Sequence, residues 1–170
     1  MTPMRVTLPV IALLALAGCG GADGVTAPTR AQGERFSATL IGASVVPANA
    51  SGSTGSISFQ AASDSTLAFS LSVSNMSGIT QAHLHTAAAG VNGATLVWLL
   101  PVNGTAAQPA SVELSGVIAI GDVDPTWVRG TPRLAMDSVK TLLRAGRLYV
   151  DVHSSTFVNG EIRGQVAKLP

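Results

Sequence analysis

The chain is poor in cysteine, in charged residues and in aromatic side chains. Its 170 residues include one Cys, 10 Lys and Arg, 9 Asp and Glu and only 4% aromatic residues, and the formal net charge is +1. A single thiol excludes an intramolecular disulfide and a cysteine-rich zinc site. The balanced charge argues against a nucleic-acid binder, which needs a basic surplus to neutralise phosphates. Because 46% of the residues are hydrophobic, the chain is also expected to fold.

Long apolar runs and the motifs of common enzyme classes are missing as well. The apolar stretch of residues 6–17 is shorter than the roughly 20 residues that a transmembrane helix needs. The sequence contains no Gly-x-Ser-x-Gly elbow, no Walker loop and no Gly-x-Gly-x-x-Gly turn. We therefore predict no catalytic residue and no bound nucleotide.

The N-terminus is typical of a secretory signal. Arg5 precedes the apolar run, and small residues follow it. The segment Leu16-Ala17-Gly18-Cys19 resembles the lipobox of bacterial lipoproteins, and this resemblance implies that Cys19 is lipidated and begins the mature chain. We therefore predict a signal peptide over residues 1–18 and attachment to a membrane through the lipid.

The residue after Cys19 indicates in which membrane the protein is anchored. Gly20 follows the cysteine, in the place where an acidic residue would retain a lipoprotein at the inner membrane. We expect the protein to cross the inner membrane and to be anchored in the cell envelope, at the outer membrane where one exists. Residues 19–33 contain Gly, Ala, Thr and Pro without periodicity, which indicates a flexible tether.

Residues 34–170 alternate between apolar and polar side chains, which is typical of half-buried strands. Turn residues such as Asn92-Gly93 and Asn159-Gly160 separate these segments. The pattern predicts an all-β domain, with a Greek-key or immunoglobulin-like antiparallel β-sandwich as its architecture. Strands are expected near residues 36–40, 56–59, 67–73, 82–86, 94–100, 110–119, 148–154 and 161–167.

One segment has helical spacing instead. Thr131 is expected to cap a short helix, Pro132 to occupy its first position and Gly146 to end it. Between them, apolar residues recur at intervals of three and four: Met136, Val139, Leu142 and Leu143.

All three histidines fall in two of the predicted strands. Because strand side chains alternate, Ala82 and Leu84 share one face, and Gln81, His83 and His85 share the other. The later strands have the same parity. Their inward residues are Leu148, Val150, Val152, Ile162 and Val166, and their outward residues are Tyr149, Asp151, His153, Glu161, Arg163 and Gln165.

These polar rows have two interpretations. In the first, His83, His85 and His153 bind one metal ion, and Asp151 or Glu161 orients an imidazole or ligates directly. Imidazole and carboxylate ligands suit Zn or Cu, and also Ni or Fe. In the second, the rows form a hydrogen-bonded network that fixes the strand register. Its other members would be Gln81, Tyr149 and Arg163.

The two tryptophans lie in different sequence surroundings. Trp98 lies in the apolar run Leu96 to Leu100 and is expected in the core, whereas Trp127 follows Pro125 in a loop and is expected to be exposed. An exposed tryptophan would suit a glycan, but no motif identifies a protein or glycan partner.

Several ordered motifs carry a family resemblance. They are Phe36–Leu40 with Val46-Pro47, Gln81–His85, Gly90–Gly93, Leu148–His153 and Asn159–Gln165. This combination resembles the CHRD domain, named for its occurrence in chordin, over about Arg35 to Lys168. The resemblance implies an extracytoplasmic β-sandwich without an established catalytic residue. We therefore expect a membrane-anchored, non-enzymatic binding or structural module, with a metal-binding protein as the alternative.

Overall fold

The computed structural model of the chain describes residues 33–61, 65–101 and 114–170. The predicted signal peptide, Cys19 and the tether up to residue 32 lie outside the described residues, as do residues 110–113 of the strand predicted over 110–119. Within the described ranges the chain has nine strands and one α-helix. The strands are β1 (Arg35–Ile41), β2 (Thr54–Gln60), β3 (Leu67–Met76), β4 (Ile79–Thr86), β5 (Thr95–Leu100), β6 (Leu114–Val123), β7 (Leu148–Ser154), β8 (Ile162–Gln165) and β9 (Ala167–Lys168), and the helix is α1 (Met136–Arg144).

The strands form one antiparallel sheet in the order β5-β4-β7-β8-β1-β2-β3-β6, and β9 pairs with β1. The two end strands of this order, β5 and β6, approach each other, so the sheet is nearly closed. The all-β prediction is confirmed. The Greek-key or immunoglobulin-like sandwich is not confirmed, because hydrogen bonds join all nine strands into a single sheet.

The hydrophobic core lies on one face of this sheet, as the alternation predicts. On β3, Leu67, Phe69, Leu71 and Val73 are buried, while Ser70 between them is only half-buried. The apolar residues of β4, β7 and β8 join the same core, and among them Ala82, Leu84, Val150, Val152 and Ile162 have no exposed surface. The predicted inward positions on these strands are therefore confirmed.

The helix packs on the core but begins later than predicted. Its N-cap is Ala135, which provides no side-chain cap, and Thr131 and Pro132 lie exposed in the turns before it. The prediction of Thr131 as the cap is wrong because the buried face starts only at Met136 and continues through Val139 and Leu143. Gly146, with φ +61°, follows the helix as expected. In the described part of the chain, no helix has the length and apolar character needed to cross a membrane.

The outward polar rows of β4, β7 and β8 hold the main departure from the sequence pattern. These side chains lie on the face opposite the core, as predicted, yet most of them are buried. His83 is 5% exposed, Asp151 7% and Arg163 3%. The sheet therefore has a second, polar interior on this face.

Candidate functional site

The sheet order brings the two histidine-bearing segments side by side. Strand β7 pairs with β4 on one side and with β8 on the other. In this register Asp151 lies between His83 on β4 and Arg163 on β8, and His153 lies opposite Gln81. Residues about 70 positions apart in sequence thus become neighbours on one face. The pairing of β4 with β5 is irregular on both sides of His83 and Leu84, which is common next to functional sites.

One carboxylate oxygen lies at the centre of the three imidazoles. Asp151 Oδ1 is 3.5 Å from His83 Nδ1, 3.2 Å from His85 Nε2 and 3.2 Å from His153 Nε2. His83 Nδ1 is in turn 3.2 Å from His153 Nε2. All four ligand atoms lie within 4.8 Å of one another. We call these four residues the His/Asp cluster.

Backbone carbonyls fix the tautomers of two of the histidines. His85 Nδ1 donates to the carbonyl of Gly93 at 3.0 Å, and His153 Nδ1 donates to the carbonyl of Val158 at 2.9 Å. A carbonyl can only accept, so each Nδ1 carries a proton. In a neutral imidazole the other nitrogen, Nε2, then has a lone pair. When both imidazoles are neutral, these lone pairs face the carboxylate of Asp151; when Nε2 is protonated, it donates to that carboxylate instead.

The electrostatics of the cluster follow from this arrangement. Burial raises the pKa of Asp151, but hydrogen bonds from His153, His83 and His85 outweigh it and hold the pKa well below its ordinary value. Burial lowers the pKa of His153, but the hydrogen bond and the charge of Asp151 outweigh it, so that pKa is raised. In both cases the close carboxylate–imidazole contact favours opposite charges on the two groups.

The loop between β4 and β5, residues 87–94, covers the His85 side of the cluster. Besides the bond between His85 and Gly93, the loop is held by Tyr149, whose hydroxyl accepts from Gly93 N at 3.2 Å. Arg163 donates to the carbonyl of Val91 at 2.7 Å and to Asn92 Oδ1 at 2.9 Å. Gln165 donates to the carbonyl of Ala87 at 3.0 Å. This cover contributes to the burial of the outward row.

Aromatic rings flank two of the histidines. The Tyr149 ring stacks on His85 with centroids 4.8 Å apart and an interplanar angle of 2°. The guanidinium carbon of Arg163 lies 3.4 Å from the centroid of the Tyr149 ring. Trp98 contacts His83 at 4.7 Å in an edge-on arrangement and is half-buried. It is not among the core residues, so the prediction that Trp98 lies in the core is wrong.

Three of the predicted site residues make no direct contact with the cluster. Arg163 is linked to it through Tyr149 and the β4–β5 loop. Glu161 is buried but accepts from Ser51 Oγ at 2.8 Å and from Ser53 Oγ at 2.6 Å, away from the histidines. Gln81 is half-buried and neighbours His153 only through the strand register. Trp127, expected to be exposed, is half-buried with its ring 6.3 Å from that of Phe69.

Two backbone carbonyls complete the site from the loops, and the side-chain pattern does not reveal them. The carbonyls of Gly93 and Val158 leave no mark on side-chain patterns, although both belong to loops that follow histidine strands. The dipeptide Asn92-Gly93 was a usable signal, but it indicates only a turn and not what the turn covers.

Comparison with known proteins identifies the domain. The family model described as the CHRD domain matches residues 36–166, which is more than half of the chain. Neither the curated proteins nor the solved structures gave a match. The match includes every strand of the polar face, and with it the His/Asp cluster. The chain therefore belongs to the CHRD domain family.

Proposed function

We propose that this CHRD domain is a non-enzymatic module of the bacterial cell envelope whose His/Asp cluster binds one metal ion, with zinc as the favoured ion. One observation carries the proposal. In a tetrahedral site with metal–ligand bonds of about 2.0–2.1 Å, the ligand atoms lie about 3.3 Å apart. Four of the six separations among the ligand atoms are 3.2, 3.2, 3.2 and 3.5 Å, and the other two do not exceed 4.8 Å. This arrangement is close to that of a tetrahedral shell around one ion.

The charges in the cluster also favour a bound cation. In the neutral imidazoles the lone pairs of His85 Nε2 and His153 Nε2 would face a carboxylate oxygen, and two acceptors repel each other at 3.2 Å unless a positive charge lies between them. Extra protons on the imidazoles supply that charge in the register-fixing network. A metal ion supplies it without placing several imidazolium groups together in a buried space.

The ligand set and its burial favour zinc in a structural role. Three imidazole nitrogens and one carboxylate oxygen are ordinary zinc ligands, and structural zinc sites use four protein ligands in a tetrahedron. Both His85 and His153 donate their other nitrogen to a carbonyl, which is the usual way of orienting a metal-binding imidazole. Copper(II) prefers a square-planar arrangement, so copper binding is the competing outcome.

Metal analysis tests this function directly. Residues 20–170 would be purified, treated with chelator and titrated with Zn²⁺ or Cu²⁺ at pH 7.5. We expect one zinc per chain and a stabilisation of about 2.7 kcal/mol at a hundredfold excess over the Kd. Asp151→Asn and the pair His83→Ala and His85→Ala should weaken binding.

Asp122→Asn is the matched control, because Asp122 is an exposed carboxylate on β6. It should bind zinc as the parent does. An unchanged melting temperature with every metal would leave the histidines as a register-fixing network and remove the metal proposal.

We propose further that the module is anchored by a lipid on Cys19. The lipobox-like segment before that cysteine supports this, and so does the use of the only thiol in the chain at that position. Several acyl chains give durable membrane attachment, whereas one chain alone is marginal. The parent should fractionate with membranes and carry the mass of acyl chains, and Cys19→Ser should lack both. A parent without acyl mass would show that the anchoring proposal is wrong.

A further inference from the structure

Arg163 is a buried cation that contacts an aromatic ring and two uncharged oxygen atoms. Its side chain is 3% exposed, and in the described part of the chain no Asp or Glu oxygen lies within salt-bridge distance of it. Burying an unpaired charge is costly unless other groups stabilise it. The groups that do so here are the Tyr149 ring and two oxygen atoms of the β4–β5 loop, from Val91 and Asn92.

The same groups connect Arg163 to His85, which belongs to the His/Asp cluster. Arg163 on β8 and His85 on β4 contact Tyr149 from the two strands that flank β7. The Tyr149 hydroxyl accepts from Gly93 N, and the Gly93 carbonyl accepts from His85 Nδ1. The stack therefore fixes the plane of the His85 ring, while the loop fixes its tautomer.

The loop itself has one further anchor near this point. Asn92 Nδ2 donates to the carbonyl of Val46 at 2.9 Å, so one Asn92 side chain joins Arg163 to the segment after β1. Val91 next to it is 54% exposed. Fixing residues 91–93 therefore fixes both the acceptor for His85 and an exposed apolar position on the surface.

We propose that Arg163 is a positioning residue that couples occupancy of the His/Asp cluster to the conformation of the β4–β5 loop. It holds the loop on Tyr149 and His85, so a metal ion on His85 Nε2 stabilises the loop, and the loop in turn slows loss of the metal. This inference rests on the proposed metal binding and adds a regulated element, a loop whose order depends on the ion.

The test measures metal release and loop order in the same protein. Residues 20–170 loaded with zinc would be mixed with excess chelator and the release rate recorded. Groups that orient a metal ligand typically change affinity 10–100-fold when removed. Arg163→Met should therefore speed release at least about tenfold, and Arg163→Lys, which keeps the charge but loses the planar fork, should restore part of the difference.

Hydrogen exchange at single amides distinguishes loss of this coupling from a general destabilisation of the fold. In the parent, zinc should slow exchange of the Gly93 amide much more than that of Phe59 in β2. In Arg163→Met that selective protection should be lost. Arg147→Met, at an exposed arginine just before β7, is the matched control and should behave as the parent does.

A second variant covers the case in which Arg163→Met fails to fold. Asn92→Ala removes one Arg163 acceptor from an exposed loop position and should speed release in the same direction by a smaller factor. Parent-like release and parent-like Gly93 exchange in the folded variants would overturn the coupling while leaving metal binding intact. A parent that binds no zinc would instead overturn the proposed function, on which the coupling depends.

Discussion

Asp151 and His153 lie on the same strand with one residue between them, and Oδ1 of the first is 3.2 Å from Nε2 of the second. This contact holds the pKa of Asp151 low and the pKa of His153 high. The metal-free cluster therefore depends on protons that a metal ion would displace. Protons and a metal ion therefore compete to neutralise the negative charge of the Asp151 carboxylate.

This competition predicts opposite pH dependences for the metal-free and the zinc-loaded protein. Because the pKa of His153 is raised on folding, its contribution is fully present below the unfolded value of about 6.5 and is lost as pH rises through the folded pKa. The metal-free protein should therefore lose stability as pH rises above about 6.5. The zinc-loaded protein should gain stability over the range 5.5 to 7.5, because imidazoles must lose protons to ligate.

Melting temperatures in chelator and in zinc at pH 5.5, 6.5, 7.5 and 8.5 would check this prediction. Parallel curves under the two conditions would contradict it. Asp151 itself has a lowered pKa, so its contribution is present above the unfolded value of about 3.9 and is lost as pH falls. That loss occurs below pH 5.5, the lowest pH of the comparison, and therefore does not affect the result.

The face of the sheet on which each side chain lies was predictable, because the alternation of side chains along a strand is a local property. On β3 the apolar positions 67, 69, 71 and 73 are buried and the serines between them are not. The same rule assigned His83, His85 and His153 to one face. Which strands would be neighbours was not predictable, because the insertion of β7 between β4 and β8 depends on pairing between distant segments.

The burial of the polar face was also beyond the sequence. A row of Tyr149, Asp151 and His153 beside apolar residues indicates a solvent-facing row. It becomes an interior because loops fold back over it: residues 87–94 are held by Arg163 and Gln165 from β8, and the loop after β7 contacts His153 through Val158. The start of α1 was misplaced for a related reason, since Thr131 and Pro132 match a helix start but have no buried face to follow.

Core packing on β3 provides a stability prediction. Phe69 is 5% exposed and its ring lies 6.3 Å from those of Phe59 and Trp127. Phe69→Ala should therefore cost about 3–5 kcal/mol in the free energy of unfolding, from lost burial and a cavity. Ser70→Ala, on the other face of the same strand, should stay within about 0.5 kcal/mol. Denaturant midpoints measure both, and equal losses would mean that the faces are exchanged.

The start of the domain is held by an ion-pair triad that can be followed by titration. Glu34 accepts from Arg144 Nε at 2.7 Å and from Lys168 Nζ at 2.7 Å, and these bonds lower the pKa of Glu34 to about 2. Its stabilising contribution is thus present above the ordinary value of 4.5 and is lost as pH falls toward 2. Arg144→Met should raise the pKa of Glu34, as measured by NMR titration of its carboxyl carbon. Arg147→Met should leave the pKa of Glu34 unchanged. An equal shift of that pKa in Arg147→Met would mean that the overall charge of the protein, and not the triad, sets it.

Gly93 tests how closely the loop must approach the strand that carries His85. A Cβ added at Gly93 would collide with the carbonyl oxygen of Thr86, which is backbone and cannot move aside like a side chain. Gly93→Ala should therefore displace the loop, cost about 1–3 kcal/mol as overpacking does and weaken the acceptor for His85 Nδ1. Gly52→Ala is the matched control, because an added Cβ there meets no atom within 4 Å. Thermal melts and zinc titrations of both variants should show losses only for Gly93→Ala. Full zinc affinity in that variant would mean that the position of the Gly93 carbonyl does not govern the cluster.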